Sequence, residues 1–79
     1  MIEDYTNYEI KLAYEIADTL KDRDSISMHL MYARKYKEEF LRKILAKVMS
    51  IDESKIKRTR GALYTFLINQ NATYGDGGH

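Results

Sequence analysis

The stretch Ser54-Lys55-Ile56-Lys57-Arg58-Thr59-Arg60 sets four cations, Lys55, Lys57, Arg58 and Arg60, within six residues, directly before an apolar run with helical spacing. The chemistry open to such a cluster is phosphate contact, because an arginine offers two parallel N–H donors to an anion and a lysine acts as a point charge. A helix starting near Thr59 would turn its first amides and the positive end of its dipole toward the same place. Cations at a helix start are unfavourable by roughly a few tenths of a kcal/mol each, and an anion placed there relieves that cost. Gly61 would allow either a close backbone approach or tight helix packing. In the opposing reading, Asp52, Glu53 and an acidic first helix neutralise the four cations inside the fold.

A second set of bases, Arg34, Lys35, Lys37, Arg42, Lys43 and Lys47, extends the candidate phosphate surface. Tyr32 and Tyr36 stand beside three of them, where exposed aromatics could stack unpaired bases. With Met28 and Met31 the same tyrosines could equally form a partner-protein surface, since Met and Tyr are enriched where adaptable contacts are made.

The residues that would carry catalysis are missing from any useful arrangement. His29 is the one histidine outside the C-terminal tail, and its place beside an apolar stripe suits a half-buried structural side chain better than a general base. One such His and no Cys do not assemble a closed metal site. Gly61 stands apart from the other glycines, so there is no glycine-rich phosphate loop. The expectation is a non-enzyme with no cofactor and no metal.

Charge sharpens this. The net charge of +1 hides an acidic residues 1–24, with seven acids against three bases, and a basic residues 25–60, with ten bases against four acids. Opposed halves of this kind suit a nucleic-acid surface beside an acidic one, or self-association of unlike patches. At 79 residues, 44% hydrophobic and 32% charged, the chain reads as one small folded domain over residues 1–70 with a flexible tail over 71–79. No run approaches the roughly 20 apolar residues of a membrane span, and a cytoplasmic location is the default expectation.

Four helical segments must position these residues. Thr6-Asn7-Tyr8-Glu9 has the form of a capping box, and Ile10, Ala13, Ile16, Ala17 and Leu20 then share one helical face up to about Lys21. A second helix, capped by Asp24 or Ser25, carries Ile26, Leu30 and Ala33 inward and leaves Met28, Met31 and Tyr32 off the stripe. A third runs from about Lys37 to Met49 with Phe40, Leu41, Ile44, Leu45, Val48 and Met49 on one face and Glu38/Arg42 and Glu39/Lys43 pairs opposite. With neither Gly nor Pro between them, the second and third can form one kinked element. Asp52 caps a short turn in the connector, and a last helix from near Thr59 carries Leu63, Phe66 and Leu67 inward, with Tyr64 and Ile68 one step round. The fold class is a compact all-α bundle of about four helices with a disordered C-terminal tail.

Lys37-Glu38-Glu39-Phe40-Leu41-Arg42 followed by Ile56-Lys57-Arg58-Thr59-Arg60-Gly61-Ala62-Leu63-Tyr64 resembles a helical segment of replication-related proteins of bacterial plasmids and other mobile elements. The resemblance covers roughly residues 20–68 and implies a role beside DNA rather than catalysis. Two function classes result. The first is a nucleic-acid-binding module, with DNA favoured over RNA, that contacts phosphates weakly and in a salt-sensitive way. The second is a protein-interaction or self-assembly module with no nucleic-acid contact. The concentration of bases in residues 25–60 favours the first.

Overall fold

In the computed structural model the backbone is described for residues 4–74 and the side chains for residues 4–71. Among the described residues there are four α-helices and no strand: α1 Asn7–Leu20, α2 Ile26–Lys35, α3 Glu38–Met49 and α4 Arg60–Tyr74. The all-α bundle expected from periodicity is the architecture the chain adopts. Helix α4 continues through Tyr74, beyond the domain end expected at Gln70; residues 75–79 of the expected tail lie outside the described residues.

Most helix boundaries have a local cause, although Ser25 at the start of α2 makes no side-chain cap bond, so the cap expected there from Asp24 or Ser25 is not formed. The capping box opens α1: Glu9 N–H donates to Thr6 Oγ1 at 3.1 Å, and Thr6 N–H donates to Glu9 Oε1 at 2.9 Å. Lys21 closes α1 in the left-handed region, with φ 56°, a conformation that usually falls to glycine. Between α2 and α3, Tyr36 and Lys37 are both extended, with ψ 157° and 147°. Two extended residues break the i to i−4 ladder outright, so these are separate helices and not one kinked element. The acids Glu38 and Glu39 then lie in the first turn of α3, where the dipole favours them.

Helix α1 packs most extensively on α2, and α4 mainly on α3. Ala13 and Ala17 are fully buried on α1, and Leu12, Ile16 and Leu20 are buried on the same helix. Leu12 falls outside the face expected from periodicity, because α1 is covered over a wider arc than one stripe. Leu30, Tyr32 and Ala33 of α2 and Leu41, Ile44, Leu45 and Val48 of α3 complete the core. Fully burying one such Leu or Ile contributes roughly 1.5–3 kcal/mol.

Helix α4 departs most from expectation. Its fully buried residues are Gly61, Tyr64 and Ile68, whereas Phe66, expected inward, is 59% exposed. Leu63 and Leu67 pack only against the edge of the core. The cause is a close approach at Gly61: a Cβ there would lie 2.7 Å from Asp22 Cγ and 2.8 Å from Asp22 Oδ2. That carboxylate is held in turn by His29, whose Nε2 lies 3.0 Å from Asp22 Oδ2. His29 is 2% exposed, buried more deeply than the half-buried position expected for it. Its ring meets Tyr64 at 5.6 Å, Tyr64 meets Tyr32 at 6.5 Å, Tyr32 meets Tyr36 at 5.7 Å, and Tyr36 meets Phe40 at 5.3 Å. These separations suit favourable aromatic pairing, so a continuous chain of rings ties α2 to α3 and α4.

Two stability outcomes follow from this packing. Gly61→Ala should lower stability by about 1–2 kcal/mol, since overpacking costs roughly 1–3 kcal/mol and the better helix propensity of Ala returns about 0.5–1. In an Asp22→Ala background the same change should be neutral or stabilising; equal losses in both backgrounds, measured by urea unfolding, would rule out the close contact as the cause. Tyr64→Phe removes a buried hydroxyl that has no hydrogen-bond partner among the described residues. It should raise stability by about 1 kcal/mol and the midpoint of thermal unfolding by roughly 4–8 °C, and a lowered midpoint would contradict this.

Candidate nucleic-acid interface

The connector between α3 and α4 is held by its own polar side chains. Ser50 Oγ donates to Lys47 O at 2.8 Å, and Asp52 accepts from Ser54 N–H at 3.4 Å and from Ser54 Oγ at 3.1 Å. These bonds shape the 3-10 turn Glu53–Lys55. Thr59 Oγ1 accepts from Ala62 N–H at 3.0 Å and so caps α4. Arg60 turns back and donates from Nη1 to Val48 O at 2.7 Å, a carbonyl at the C-terminal end of α3 where a cation is favoured.

With Asp52, Ser54, Thr59 and Arg60 spent on the loop, the side chains left over are Lys55, Lys57 and Arg58. All three are exposed and enter no ion pair among the described residues. They line an open groove of about 350 Å³, whose remaining walls are Ile56 and the α4 face of Thr59, Ala62, Leu63 and Phe66. A second, larger depression of about 560 Å³ shares Ile56, Arg58 and Thr59 and continues past Arg60 to Lys21 and Glu53. Arg58 therefore stands on the ridge between two hollows, and Arg60 faces only the second.

The start of α4 is already supplied with an anion from within. The Asp22 carboxylate rests against Gly61 in its first turn, and Thr59 has taken the Ala62 amide. The basic surface that remains open to solvent is therefore the connector and the adjoining α4 face.

The other expected phosphate contacts divide by residue type. Arg34 donates from Nη2 to Glu9 Oε1 at 2.9 Å and lies over the Tyr5 ring at 4.2 Å. Arg42 bridges α1 and α3, reaching Glu15 Oε2 at 3.0 Å and Glu38 Oε2 at 2.6 Å. Arg23 pairs with Asp18 in the same manner. These arginines are committed to carboxylates and do not join the groove. Lys35 lies 5.4 Å from the Tyr36 ring centre, while Lys37, Lys43 and Lys47 are exposed and outside both hollows.

The expected partner surface is largely taken up by the core. Tyr32 is 5% exposed and packed between Tyr64 and Tyr36, which removes it as a stacking or docking residue. Burial pushes its hydroxyl pKa up, and that of Tyr64 further. Met28 is half-buried against the core and its sulfur accepts from Thr65 Oγ1 at 3.3 Å. Tyr36 is half-buried between Tyr32 and Phe40. Met31 alone of that group stands out, at 49% exposed. The exposed ring that does border the basic cluster is Phe66, which periodicity assigned to the core. Only the Gly61-Tyr64-Thr65-Ile68 spacing in the sequence hinted at the competing face.

Comparisons with known protein families, with curated proteins and with solved structures find no match.

The arginine pairs make stability acid-sensitive. Hydrogen bonding from Arg42 holds the Glu15 carboxyl below its ordinary range, and bonds from Tyr8 and then Arg42 do the same for Glu38. A lowered folded pKa gives stabilisation that is complete above the ordinary carboxylate range and is lost as pH falls through it. Arg42→Ala should therefore reduce stability at about pH 7 and shrink the further loss between about pH 7 and pH 3, with part of the Glu38 contribution surviving through Tyr8. Urea midpoints at the two pH values check this, and an unchanged acid-induced loss in the variant would contradict it.

Proposed function

We propose that the chain is a small non-catalytic nucleic-acid-binding module that contacts phosphates through the connector before α4. The observation that carries this reading is the contrast between the two kinds of cation. Arg23, Arg34 and Arg42 are each matched to a carboxylate, and Arg60 to a backbone carbonyl, whereas Lys55, Lys57 and Arg58 are left unpaired side by side along one groove. The acids Glu9, Glu15, Asp18 and Glu38 are matched by Arg23, Arg34 and Arg42, so none of these carboxylates is left to neutralise the connector cations.

Three connector cations make for modest, mainly sequence-independent affinity, of the order of 10⁻⁴–10⁻⁶ M near physiological salt. Lys47, in the last turn of α3, and Lys21, in the adjoining depression, extend the positive field. The resemblance to replication-related proteins of mobile elements supports DNA over RNA. A second reading rests on the apolar part of the same groove: Ile56, Leu63 and Phe66 would also suit an acidic amphipathic helix of a protein partner.

Fluorescence anisotropy with labelled DNA and RNA separates the two. Binding should weaken with salt, and the folded variant Lys55→Ala/Lys57→Ala/Arg58→Ala should lose most of it, with the slope of log K against log salt falling by about 2–3 for three lost phosphate contacts. Arg34→Lys, a cation committed elsewhere, should leave binding near the wild-type level. No binding of any nucleic acid at low salt would overturn the proposal.

A further inference from the structure

The groove pairs its cations with an aromatic ring that the fold leaves uncovered. Phe66 is 59% exposed, the most exposed of the chain's large apolar side chains among the described residues, and it lines the same hollow as Lys55, Lys57 and Arg58. It stands on α4 two turns from the capping Thr59, on a helix that packs closely against Asp22 at Gly61. Ile56 and Leu63 back the hollow with apolar surface. The connector run from Lys55 to Arg58 reaches at most about 10 Å, the span of about two consecutive phosphates.

From this juxtaposition, and resting on the nucleic-acid reading above, we infer that the groove takes single-stranded nucleic acid, with its backbone along Lys55, Lys57 and Arg58 and one unpaired base stacked on Phe66. Within a duplex that contact costs the unstacking of a base step, because its bases already stack on each other and only its backbone and groove edges face outward. A single strand presents π faces of every base, so an aromatic platform binds it with little sequence preference. The cations draw the strand in, and the ring decides its form. A partner helix would fill the apolar part of the hollow too, but it would leave the three cations to acidic side chains alone; the sugar–phosphate backbone supplies a regularly spaced row of charges that a groove of this length can follow.

The chain contains no Trp, so Phe66→Trp places a single indole at the stacking position. The experiment titrates the full chain and its Phe66→Trp and Phe66→Leu forms with oligothymidine, with the same oligomer carrying abasic residues, and with a duplex of equal length. Circular dichroism confirms folding, which an exposed position should not disturb. Oligothymidine should bind the wild type more tightly than the duplex does, and abasic residues should weaken it. Phe66→Leu should weaken oligothymidine by roughly 5- to 150-fold, the loss expected for one stacked base, and leave duplex binding unchanged. Oligothymidine should also quench the indole of Phe66→Trp. Equal affinity for abasic and intact oligomers, together with no effect of Phe66→Leu, would overturn the stacking inference while leaving phosphate contact standing. Binding of none of the three ligands by the wild type would overturn the phosphate reading itself, and quenching by an acidic amphipathic peptide in place of oligothymidine would assign the groove to a protein partner.

Discussion

The rotational setting of α4 depends on one close contact, the Asp22 carboxylate against the bare Cα of Gly61. Helix α4 carries two apolar stripes. Leu63, Phe66 and Leu67 form one; Tyr64 and Ile68, with Gly61 and Thr65, form the other. Burial alone does not choose between them, since Phe66 and Tyr64 each carry a large apolar payload and Tyr64 adds a hydroxyl that is costly to bury unpaired. The choice falls to the stripe that contains the glycine, because only there can α4 approach the end of α1. That approach seats Tyr64 between His29 and Tyr32, and it turns Phe66 out. The core and the groove are therefore two faces of one decision.

Asp22 also explains why the charged ends of the helices are quiet. Its carboxylate bonds His29 of α2 and lies beside the first turn of α4, where the helix dipole favours a negative charge. At the other side of the connector, Arg60 sits on the last turn of α3, where the dipole favours a positive one. The chain thus meets both helix termini with its own side chains. What remains for an outside partner is the segment between them, where Lys55, Lys57 and Arg58 enter no ion pair among the described residues and line one groove.

Much of this was legible in the sequence where the signal is local. The capping box at Thr6 and Glu9, the Glu38/Arg42 pair, the Asp52 turn and most of the apolar stripes of α1 and α3 depend on residues within a few positions of one another and are present as read, whereas Met49, expected inward, is exposed and Leu12 joins the core. The connector cluster was legible for the same reason. Tyr32 and Phe66 were not, because their burial depends on which face of one helix meets another that is distant in sequence. Tyr32 looks peripheral on α2 taken alone, and becomes core once Tyr64 and Tyr36 close round it. Arg34 looked like a free cation, and Arg42 like a partner of Glu38 alone, until the acids of α1, remote in sequence, came within reach.

The division between arginines and lysines then bears on what kind of binding such a surface supports. A guanidinium is planar and pre-organised for two bonds to a carboxylate, which suits Arg42 to spanning Glu15 and Glu38 across two helices. Lysines hold a compact, strongly hydrated charge on a flexible stem and fix little geometry. A groove whose cations are two lysines and one arginine therefore attracts an anionic chain without dictating its register. Positional definition has to come from a rigid group, and in this groove the rigid group is the ring of Phe66, carried on a helix packed through Gly61, Tyr64 and Ile68.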